Sequence, residues 1–543
     1  MAATLFTGGV IWPGDGSASS DALLVRDGRV CALGDAARQQ AHGMQGQSAS
    51  AVETVDLDGG FLMPSFRDGH AHPLLGGLEA EGPAVRACES VEQIVAEVRR
   101  WAEAHPNEEW VIGASYDSSL ASEGLFDARW LDDAVSDRPV VLRAWDYHTV
   151  WCNSLAFERV GITASTPDPE LGEIPRRGDG SPLGTLREWG AVDLMLDAVP
   201  ARSLDTRLRA LGRASEFYRS YGVTWVQDAW VESEDVDVYV EAVVRGMLTV
   251  RYNLALYADP RYFTAQFPEM LASRRRVAAL ESSLLTANTV KFFADGVIES
   301  ETGALLEPYC SAVHKRGISV WSPSGLRDAV RAVDEAGFQT HIHAIGDAAI
   351  RQGLDAIDYV ATVNGSRDRR PVLAHTQLID EVDLPRFARL NVIANMQPLW
   401  AQLDPLMTVL TVPRLGIERA DRQYQMASLL ASGAPLAFGS DWPVSSADPR
   451  EGIAIATSRT TSDGIPEGGW VPHEIINIDA ALRAYTVSVA HQAFGDIAAV
   501  PWGSLRPGMS ADMVWLGRDP RNSTPRELPG IPVVATYLAG IDT

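Results

Sequence analysis

The stretch Phe61-Leu-Met-Pro-Ser-Phe-Arg-Asp-Gly-His-Ala-His-Pro73 decides the fold that we predict for this chain. Its apolar beginning is typical of a buried strand, and the strand leads to His70 and His72. Because successive side chains of a strand point to opposite faces, histidines two positions apart lie on the same side. The stretch therefore predicts a strand that offers two imidazoles to one metal ion. The pattern alone is a weak signal, and two histidines hydrogen-bonded in a loop are the alternative.

Seven further strand-like runs follow this stretch, with helical patterns such as 326–336 between several of them. This alternation is typical of a parallel sheet covered by helices. Together with the His70 strand the runs make eight, the number that closes a (β/α)8 barrel, in which the chemistry lies at the C-terminal ends of the strands. We therefore predict an α/β fold with a TIM-like barrel. The seven runs are 223–228, 250–256, 290–295, 338–343, 372–375, 392–396 and 436–441.

Both ends of the chain carry the short apolar runs and turn residues of a small β domain. Asp27-Gly28 suits a tight hairpin within 23–33, and 512–516 and 533–540 are typical of strands. We predict that residues 1–65 and 491–543 form one β-sandwich domain, with two separate terminal arms as the alternative. Residues 66–490 then form the barrel, and residues 78–215 form an insertion after its first strand that covers the active site.

Composition limits the function classes. The chain has 543 residues and a formal charge of −25, and such an acidic surface argues against nucleic acid or anionic membrane as a partner. It has no run of about eighteen apolar residues and no signal-peptide pattern at its start. The four cysteines form no Cys-x-x-Cys pair, which argues against a disulfide framework and against a thiolate zinc site. We therefore predict a cytoplasmic protein that acts on a small molecule.

Several predicted strand ends carry a side chain that can bind or tune a metal. Agreement among five strands, at the end where barrel chemistry is built, favours a metal site over isolated buried histidines. Nitrogen and oxygen ligands without thiolate suit zinc, with manganese, iron or nickel as alternatives. Spacing does not decide between His341 and His343, because both point the same way from one strand. The candidates are His70, His72, Lys291, His341, His343, His375 and Asp441.

Taken together, the motifs resemble the amidohydrolase superfamily, and within it the YtcJ-like (amidohydrolase 3) branch that includes N-substituted formamide deformylases. Three positions depart from the family pattern, Ser65, Arg67 and Ala348, and none of them is a proposed ligand. The matching motifs span nearly the whole chain: Pro64-Ser-Phe-Arg-Asp-Gly-His-Ala-His-Pro, His148-Thr-Val-Trp-Cys-Asn-Ser, Val290-Lys-Phe-Phe-Ala-Asp-Gly, His343-Ala-Ile-Gly-Asp, Ala374-His-Thr-Gln, Gly439-Ser-Asp-Trp-Pro-Val and Gly503-Ser-Leu-Arg-Pro-Gly-Met-Ser-Ala-Asp-Met-Val.

The resemblance implies a metal-dependent amidohydrolase that cleaves carbon–nitrogen bonds other than peptide bonds. It selects His343 rather than His341 as a ligand and makes Lys291 a carbamylated bridge between two metal ions. A lysine that stays an amine beside a single zinc is the alternative. The cofactor is then a divalent metal, zinc by preference, as one or two ions. The implied ligands are His70, His72, Lys291, His343, His375 and Asp441.

Our mechanistic hypothesis is hydrolysis of an N-acyl or N-formyl amide. The metal lowers the pKa of bound water to about 7, the hydroxide attacks the carbonyl, and Asp441 shuttles the proton to the leaving amine. We expect His148, Asp228 and Asp295 to contact substrate, with turn caps or supporting partners as the alternative. Other functions left open are hydrolysis of an ester, lactone or cyclic amide, and a non-catalytic binding or regulatory role. A homodimer is also left open.

Overall fold

A computed structural model of the chain describes residues 3–45 and 52–542. Met1, Ala2, residues 46–51 and Thr543, all within the predicted terminal β domain, lie outside the described residues. The strands in the described part are β1 Ala3–Ile11, β2 Ser20–Arg26, β3 Arg29–Leu33, β4 Val52–Asp56, β5 Phe61–Pro64, β6 Phe66–Ala71, β7 Val111–Tyr116, β8 Val140–Ala144, β9 Thr149–Cys152, β10 Thr185–Arg187, β11 Val223–Val231, β12 Arg251–Tyr257, β13 Leu285–Phe293, β14 Gln339–Ala344, β15 Val372–His375, β16 Ile393–Met396, β17 Leu436–Phe438, β18 Met513–Leu516, β19 Val533–Leu538 and β20 Ile541–Asp542.

Helices separate most of the strands. Among the described residues, no helix is both long and apolar enough to cross a membrane. The α-helices are α1 Gly34–Gln45, α2 Pro73–Glu79, α3 Val91–Ala104, α4 Ala128–Asp132, α5 Ser154–Val160, α6 Trp189–Leu196, α7 Leu204–Ser220, α8 Asp235–Val244, α9 Phe263–Ala278, α10 Pro323–Glu335, α11 Asp347–Val363, α12 Leu384–Leu390, α13 Val412–Leu415, α14 Ile417–Ala420, α15 Met426–Ser432, α16 Pro449–Ala456, α17 Ile478–Ala484 and α18 Val487–Gln492.

An eight-stranded parallel sheet forms the centre of the molecule, in the order β17-β16-β15-β14-β13-β12-β11-β6. Its strands are almost wholly buried, as expected of a sheet with helices outside. The two edge strands approach each other beyond their C-terminal ends. There the N–H of Asp441 donates to the carbonyl of His70, and the N–H of His72 donates to the carbonyl of Trp442, each over 2.7 Å. The ring is thus nearly closed, and the predicted (β/α)8 fold is confirmed.

Strands from both ends of the chain share a second sheet, in the order β20-β19-β18-β5-β1-β2-β3, and β4 also pairs with β1. The turn between β2 and β3 has positive φ at Asp27 and Gly28, 51° and 76°, as the Asp-Gly pair predicts. The two ends of the chain therefore pair in one sheet and do not form separate arms. The division at residues 65 and 491 stays a prediction.

The opening stretch differs from the single strand that we predicted. It divides at Ser65 into β5, which pairs with β18, and β6, which pairs with β11 in the barrel. The N–H of Ser65 donates to the carbonyl of Asp512 over 2.9 Å, while the Ser65 hydroxyl lies 2.6 Å from that of Thr224. One apolar run therefore serves two sheets, and the break between them is fixed by hydrogen bonds.

The segment between β6 and β11 contains a third sheet, in the order β10-β9-β8-β7. Two of its strands, β7 and β8, coincide with the strand-like runs 110–116 and 140–145 of the sequence, whereas β9 and β10 are too short to give a periodic signal. Helices α3 to α6 pack on this sheet around apolar clusters of their own. The loop before β9 carries Trp145, Tyr147 and His148 into the cavity described below.

Candidate active site

The ends of β6 and β17 bring His70, His72 and Asp441 together. Gly439 allows this approach, because a Cβ at this position would lie 2.5 Å from the backbone nitrogen of His70. The hydrogen bond from the N–H of Asp441 to the carbonyl of His70 then fixes the carboxylate beside the two rings. Its Oδ1 lies 2.9 Å from Nε2 of His72 and 3.4 Å from Nε2 of His70.

Donor atoms from three more strands reach the same point. One ligand atom each from His70, His375 and Asp441 lie within 4.8 Å of one another. Nζ of Lys291 lies 3.3 Å from Nε2 of His70, and the ring centroid of His343 lies 4.6 Å from that of His375. The structure thus brings all six sequence-predicted ligands to one place. We call this group the strand-end cluster: His70, His72, Lys291, His343, His375 and Asp441.

Hydrogen bonds behind the cluster orient two of its rings. Nδ1 of His375 lies 2.8 Å from Oε1 of Gln397, and Nε2 of His343 lies 3.1 Å from the carbonyl oxygen of Gly296. With one nitrogen of each ring held in this way, the other nitrogen is left for a ligand contact. We did not foresee Gln397, because the strand before it carries no metal-binding residue.

His341 lies behind the cluster rather than in it. Its Nε2 is 2.7 Å from Nδ1 of His70, and the residue does not line the cavity, whereas His343 does. This placement agrees with the choice of His343 that the family resemblance gave and the spacing did not. His341 instead orients the ring of His70.

Burial sets the protonation of these groups. It lowers the pKa of His70 and His343 well below the ordinary value, and that of His375 to about 3. Burial also lowers the pKa of Lys291 to about 7. For Asp441, burial acts to raise the pKa, but the neighbouring imidazoles and lysine outweigh it and leave the pKa lowered. At neutral pH the cluster therefore presents neutral imidazoles, a lysine that is in large part deprotonated, and one carboxylate.

The backbone is strained at two members of the cluster. His375 and Asp441 have φ values of 72° and 56°, and Thr376 follows with 43°. Residues other than glycine hold this left-handed conformation only where the surroundings impose it, and such positions concentrate at functional sites. The left-handed conformation at these residues turns the chain sharply at the ends of β15 and β17.

Asp68 supports the junction between β6 and β17. Its Oδ1 accepts hydrogen bonds from the N–H of Ser440 over 2.8 Å and from the N–H of His70 over 3.2 Å, and its Oδ2 accepts one from the Ser440 hydroxyl. Burial raises the pKa of Asp68 to about 7. Our sequence reasoning missed this role, although a carboxylate within a buried strand was a visible signal.

The strand-end cluster lines a cavity of about 320 Å³ whose remaining walls come from Trp230 and Phe293 on barrel strands and otherwise mostly from loops and helix ends. The insertion contributes Trp145, Asp146, Tyr147 and His148, and the chain after β16 contributes Trp400 and Asp404. Trp400 stacks parallel to the ring of His375, with centroids 5.4 Å apart. The cavity therefore combines the donor cluster with aromatic and acidic walls.

His148 lines this cavity as the sequence led us to expect. Its Nδ1 lies 3.0 Å from Oε2 of Glu188, and the second oxygen of that carboxylate accepts a hydrogen bond from Thr302. Burial alone would lower the pKa of His148, but the nearby carboxylates, Glu188 foremost and then Asp146 and Asp441, together outweigh it and the pKa is raised. No sequence signal identified Glu188, which lies 40 residues away in a stretch to which we assigned no structure.

Asp228 and Asp295 do not line the cavity, so the expected substrate contact gives way to a supporting position. Asp228 accepts a hydrogen bond from the hydroxyl of Tyr239 beside β11. Asp295 accepts hydrogen bonds from three backbone N–H groups, among them those of Ile345 and Gly346, and so braces the loop after β14. Their carboxylates lie at barrel strand ends, as we expected, but point into the surrounding protein and not into the cavity.

Comparison with known proteins gives close relatives over the full length. Protein LONG AFTER FAR-RED 3 of Arabidopsis thaliana is 31% identical, with 99% of this chain and 91% of that protein covered. The putative amidohydrolase YtcJ of Bacillus subtilis is 27% identical, with 96% and 95% covered. The N-substituted formamide deformylase of Arthrobacter pascens is 26% identical, with 96% and 94% covered.

Among solved structures, an uncharacterized metal-dependent hydrolase from Pyrococcus horikoshii shares the fold. It superposes with a TM-score of 0.75 at 22% identity, over 96% of this chain and 99% of that one. A sequence model of the Amidohydrolase family matches residues 53–541. The chain therefore belongs to the Amidohydrolase family, which confirms the resemblance carried by its motifs.

Proposed function

We propose that this protein is a metal-dependent hydrolase that cleaves the C–N bond of an N-acyl or N-formyl amide. The observation that carries the proposal is the convergence of six side chains able to bind a metal, from the ends of five barrel strands, on one cavity. Ligand atoms of three of them, His70, His375 and Asp441, lie within 4.8 Å of one another. The deformylase named above, which acts on N-substituted formamides, supports the choice of an amide.

The residues of the strand-end cluster suit a divalent cation. Three of the four imidazoles have pKa values far below neutrality, so their nitrogens carry free lone pairs. Among the described residues, the buried Oδ1 of Asp441 and Nδ1 of His72 have no hydrogen-bond partner of normal geometry. Leaving such atoms buried and unsatisfied is costly unless a further ligand meets them. We propose that the cluster holds one or two ions, zinc by preference.

A bound divalent cation supplies Lewis-acid polarisation of the substrate carbonyl and increases the acidity of a water molecule. The rest of the reaction falls to the protein. Asp441 has a lowered pKa and is therefore a carboxylate at neutral pH, able to accept the proton of the attacking water. It passes that proton to the amine nitrogen as the C–N bond breaks. The strained backbone at Asp441 fixes the direction from which the carboxylate does this.

His148 is proposed to bind the substrate carbonyl oxygen. Its Nδ1 is held by Glu188, so Nε2 is the ring atom available to the cavity. The raised pKa of His148 favours a protonated ring, which donates to the oxygen as negative charge develops there. This contact strengthens as the transition state forms.

Lys291 is proposed to carry a carbamate. Burial lowers its pKa to about 7, so a large share of the amine is neutral and able to take up carbon dioxide. Within the described residues no salt bridge reaches its Nζ. The alternative is an unmodified amine beside a single ion. Reactivation of metal-free protein with and without added bicarbonate separates the two, since only the carbamate form needs it.

The experiment that tests the function is a substrate screen with metal reconstitution. Purified protein is loaded with zinc or manganese and offered matched N-formyl, N-acyl, ester and lactone compounds, with metal content measured on the same sample. We expect amide hydrolysis that requires the metal. Turnover confined to esters or lactones would move the assignment to that class. Loaded protein that is inert to every class, although folded, would favour a binding or regulatory role.

A further inference from the structure

Three carboxylates line the cavity without a part in the chemistry above. Asp146 comes from the insertion, Glu299 from the loop after β13 and Asp404 from the chain after β16. We call them the carboxylate wall. Each is half-buried, and burial raises the pKa of each, to about 6 for Asp404. Glu299 raises the pKa of Asp404 further, and Asp146 raises that of Glu299, so the three lie within electrostatic range.

The hydrogen bonds of the wall come from neutral groups. Glu299 accepts from the hydroxyl of Thr411 over 2.5 Å, Asp404 from the N–H of Met407 over 2.8 Å, and Asp146 from the N–H of His148 over 2.8 Å. Within the described residues none of the three forms an ion pair. Asp146 has the protonated ring of His148 near it, whereas the negative charge of Glu299 and Asp404 is left without a direct counter-ion, which is costly in a half-buried place.

Cations near the wall are engaged elsewhere. Arg86 lines the cavity but forms a two-point contact with Glu79, at 3.1 Å and 2.6 Å. Arg414, which lowers the pKa of Glu299 slightly, does not line the cavity and lies 3.9 Å from Glu301. The protein therefore brings positive charge close to the wall without placing it there.

A second observation points to a ligand at this place. Tyr424 is 1% exposed and lines the cavity, and its electrostatic neighbours are Glu299 and Asp404. Its hydroxyl makes no hydrogen bond to the described residues, whereas Glu299 and Asp404 each accept one. A polar side chain this deeply buried normally has a partner, so an unpartnered hydroxyl at the cavity indicates a group that arrives with the ligand.

Aromatic rings complete the surroundings. Trp145 and Trp400 line the same cavity, and Nε1 of Trp145 is buried without a partner within the described residues. Aromatic faces beside carboxylates are the surroundings in which proteins bind ammonium and guanidinium groups. The net charge of −25 adds a long-range attraction for cations.

From these contacts we propose that the carboxylate wall, Tyr424 and the tryptophans bind a cationic group of the substrate. The preferred substrates are then amides with an ammonium or guanidinium group away from the scissile bond. This inference rests on the proposed amide hydrolysis for its choice of substrate, but binding of the cation is a property that can be measured without turnover.

The first test measures binding by metal-free protein, in which no hydrolysis occurs. The probes are mono-N-formyl derivatives of diaminoalkanes with three to six carbons, each matched to an N-formylalkylamine with methyl in place of ammonium. Titration calorimetry gives both dissociation constants. We expect the best charged probe to bind about tenfold more tightly than its neutral match. Equal binding of the pair, or tighter binding of the neutral probe, would overturn the proposal.

Two charge-neutral variants locate the effect. Glu299→Gln and Asp404→Asn keep shape and hydrogen-bond acceptors, and we expect each to remove most of the preference for the charged probe. Glu307→Gln is the matched control, because the 77% exposed Glu307 side chain pairs with Arg316 at 3.5 Å and does not line the cavity. Thermal unfolding of each variant establishes that it folds. A preference that survives both wall variants would place the cation elsewhere and contradict the proposal.

Two outcomes separate this inference from the proposed function. A charged preference in binding with no hydrolysis of any probe by metal-loaded protein would remove the function and keep the cation subsite. Hydrolysis of neutral and charged formamides at the same kcat/KM and the same affinity would keep the function and remove the subsite.

A metal ion at the wall is a separate outcome. Stabilisation of the protein by calcium or magnesium chloride that Asp404→Asn abolishes would assign the wall to a metal ion, and that result too would overturn the proposal.

Discussion

The strand-end cluster and the carboxylate wall face one cavity but are held in different ways. The cluster stands on barrel strands whose backbones are paired, and its rings are oriented by partners such as Gln397 and His341. The wall comes from three loops, and its carboxylates are held by one or two neutral donors each. The first arrangement fixes donor atoms for chemistry, whereas the second presents charge that a ligand can meet. Changes in the cluster should therefore alter turnover, and changes in the wall should alter affinity.

The largest effect is expected from Asp441→Asn. The amide keeps an oxygen ligand but cannot accept the proton, so kcat should fall about 1,000-fold or more while metal content changes little. Turnover assays with metal analysis on the same preparation check this. Asp237→Asn is the control and should behave as wild type, because the Asp237 side chain is 59% exposed and pairs with Arg276 at the surface. Near-normal turnover of Asp441→Asn would remove the carboxylate from its proton-transfer role.

Gly439→Ala tests whether the close approach of β6 and β17 builds the cluster. The new Cβ must push the backbone of His70 away, so we expect the free energy of unfolding to fall by about 2 kcal/mol or more, together with metal affinity. Gly212→Ala in α7, where a Cβ meets nothing within 4 Å, should be neutral or stabilising. Denaturant unfolding and metal titration measure both. Equal stability of the two variants would show that the junction tolerates displacement.

Glu188→Gln tests the tie between the insertion and the cluster. Loss of the Glu188 charge removes the largest of the charges that raise the pKa of His148, so kcat/KM should fall about 10-fold to 100-fold while metal content stays the same. The pH dependence of kcat/KM should shift as well, a change that a merely structural role of Glu188 does not produce. An unaltered pH profile with reduced stability alone would reduce Glu188 to a packing role.

The smallest effect is expected from pH at the wall. Burial raises the pKa of Asp404 from 3.8 to about 6, so the carboxylate is charged above that pH and protonated below it. The affinity of metal-free protein for formylated diamines should fall about threefold to tenfold from pH 7 to pH 5. The charges of Glu299 and Asp117 also raise the pKa of Asp404, so the loss of affinity should extend over a wider pH range than for a single isolated carboxylate. Neutral alkyl formamides should show no such change, and Asp404→Asn should flatten the response to the diamines.

The contrast between the two regions also explains what the sequence could predict. Strand periodicity and motif spacing located the cluster, because parallel strands deliver their C-terminal residues to one face whatever the loops do. The division at Ser65 escaped us, since an apolar run contains no sign of which sheet each half joins. The choice between His341 and His343 came from family resemblance, because residues two apart on a strand point the same way.

The loop wall could not be predicted in this way. Asp146, Glu299 and Asp404 lie in segments without periodicity, and only tertiary contacts carry them to the cavity, as they carry Glu188 to His148 behind it. Asp228 and Asp295 were expected there because they follow strands, yet each is drawn inward by donors from its own surroundings. Position at a strand end thus predicts where a residue lies, whereas its hydrogen-bond partners decide which way it faces.

The most direct test of the account is the stoichiometry of metal binding. Protein freed of metal by a chelator is titrated with zinc, and bound metal per chain is measured by mass spectrometry for wild type and for His375→Ala. We predict about one to two ions for wild type and a clear loss for the variant. Equal metal content in both, or none in folded wild type, would contradict the claim that these scattered side chains form one metal centre.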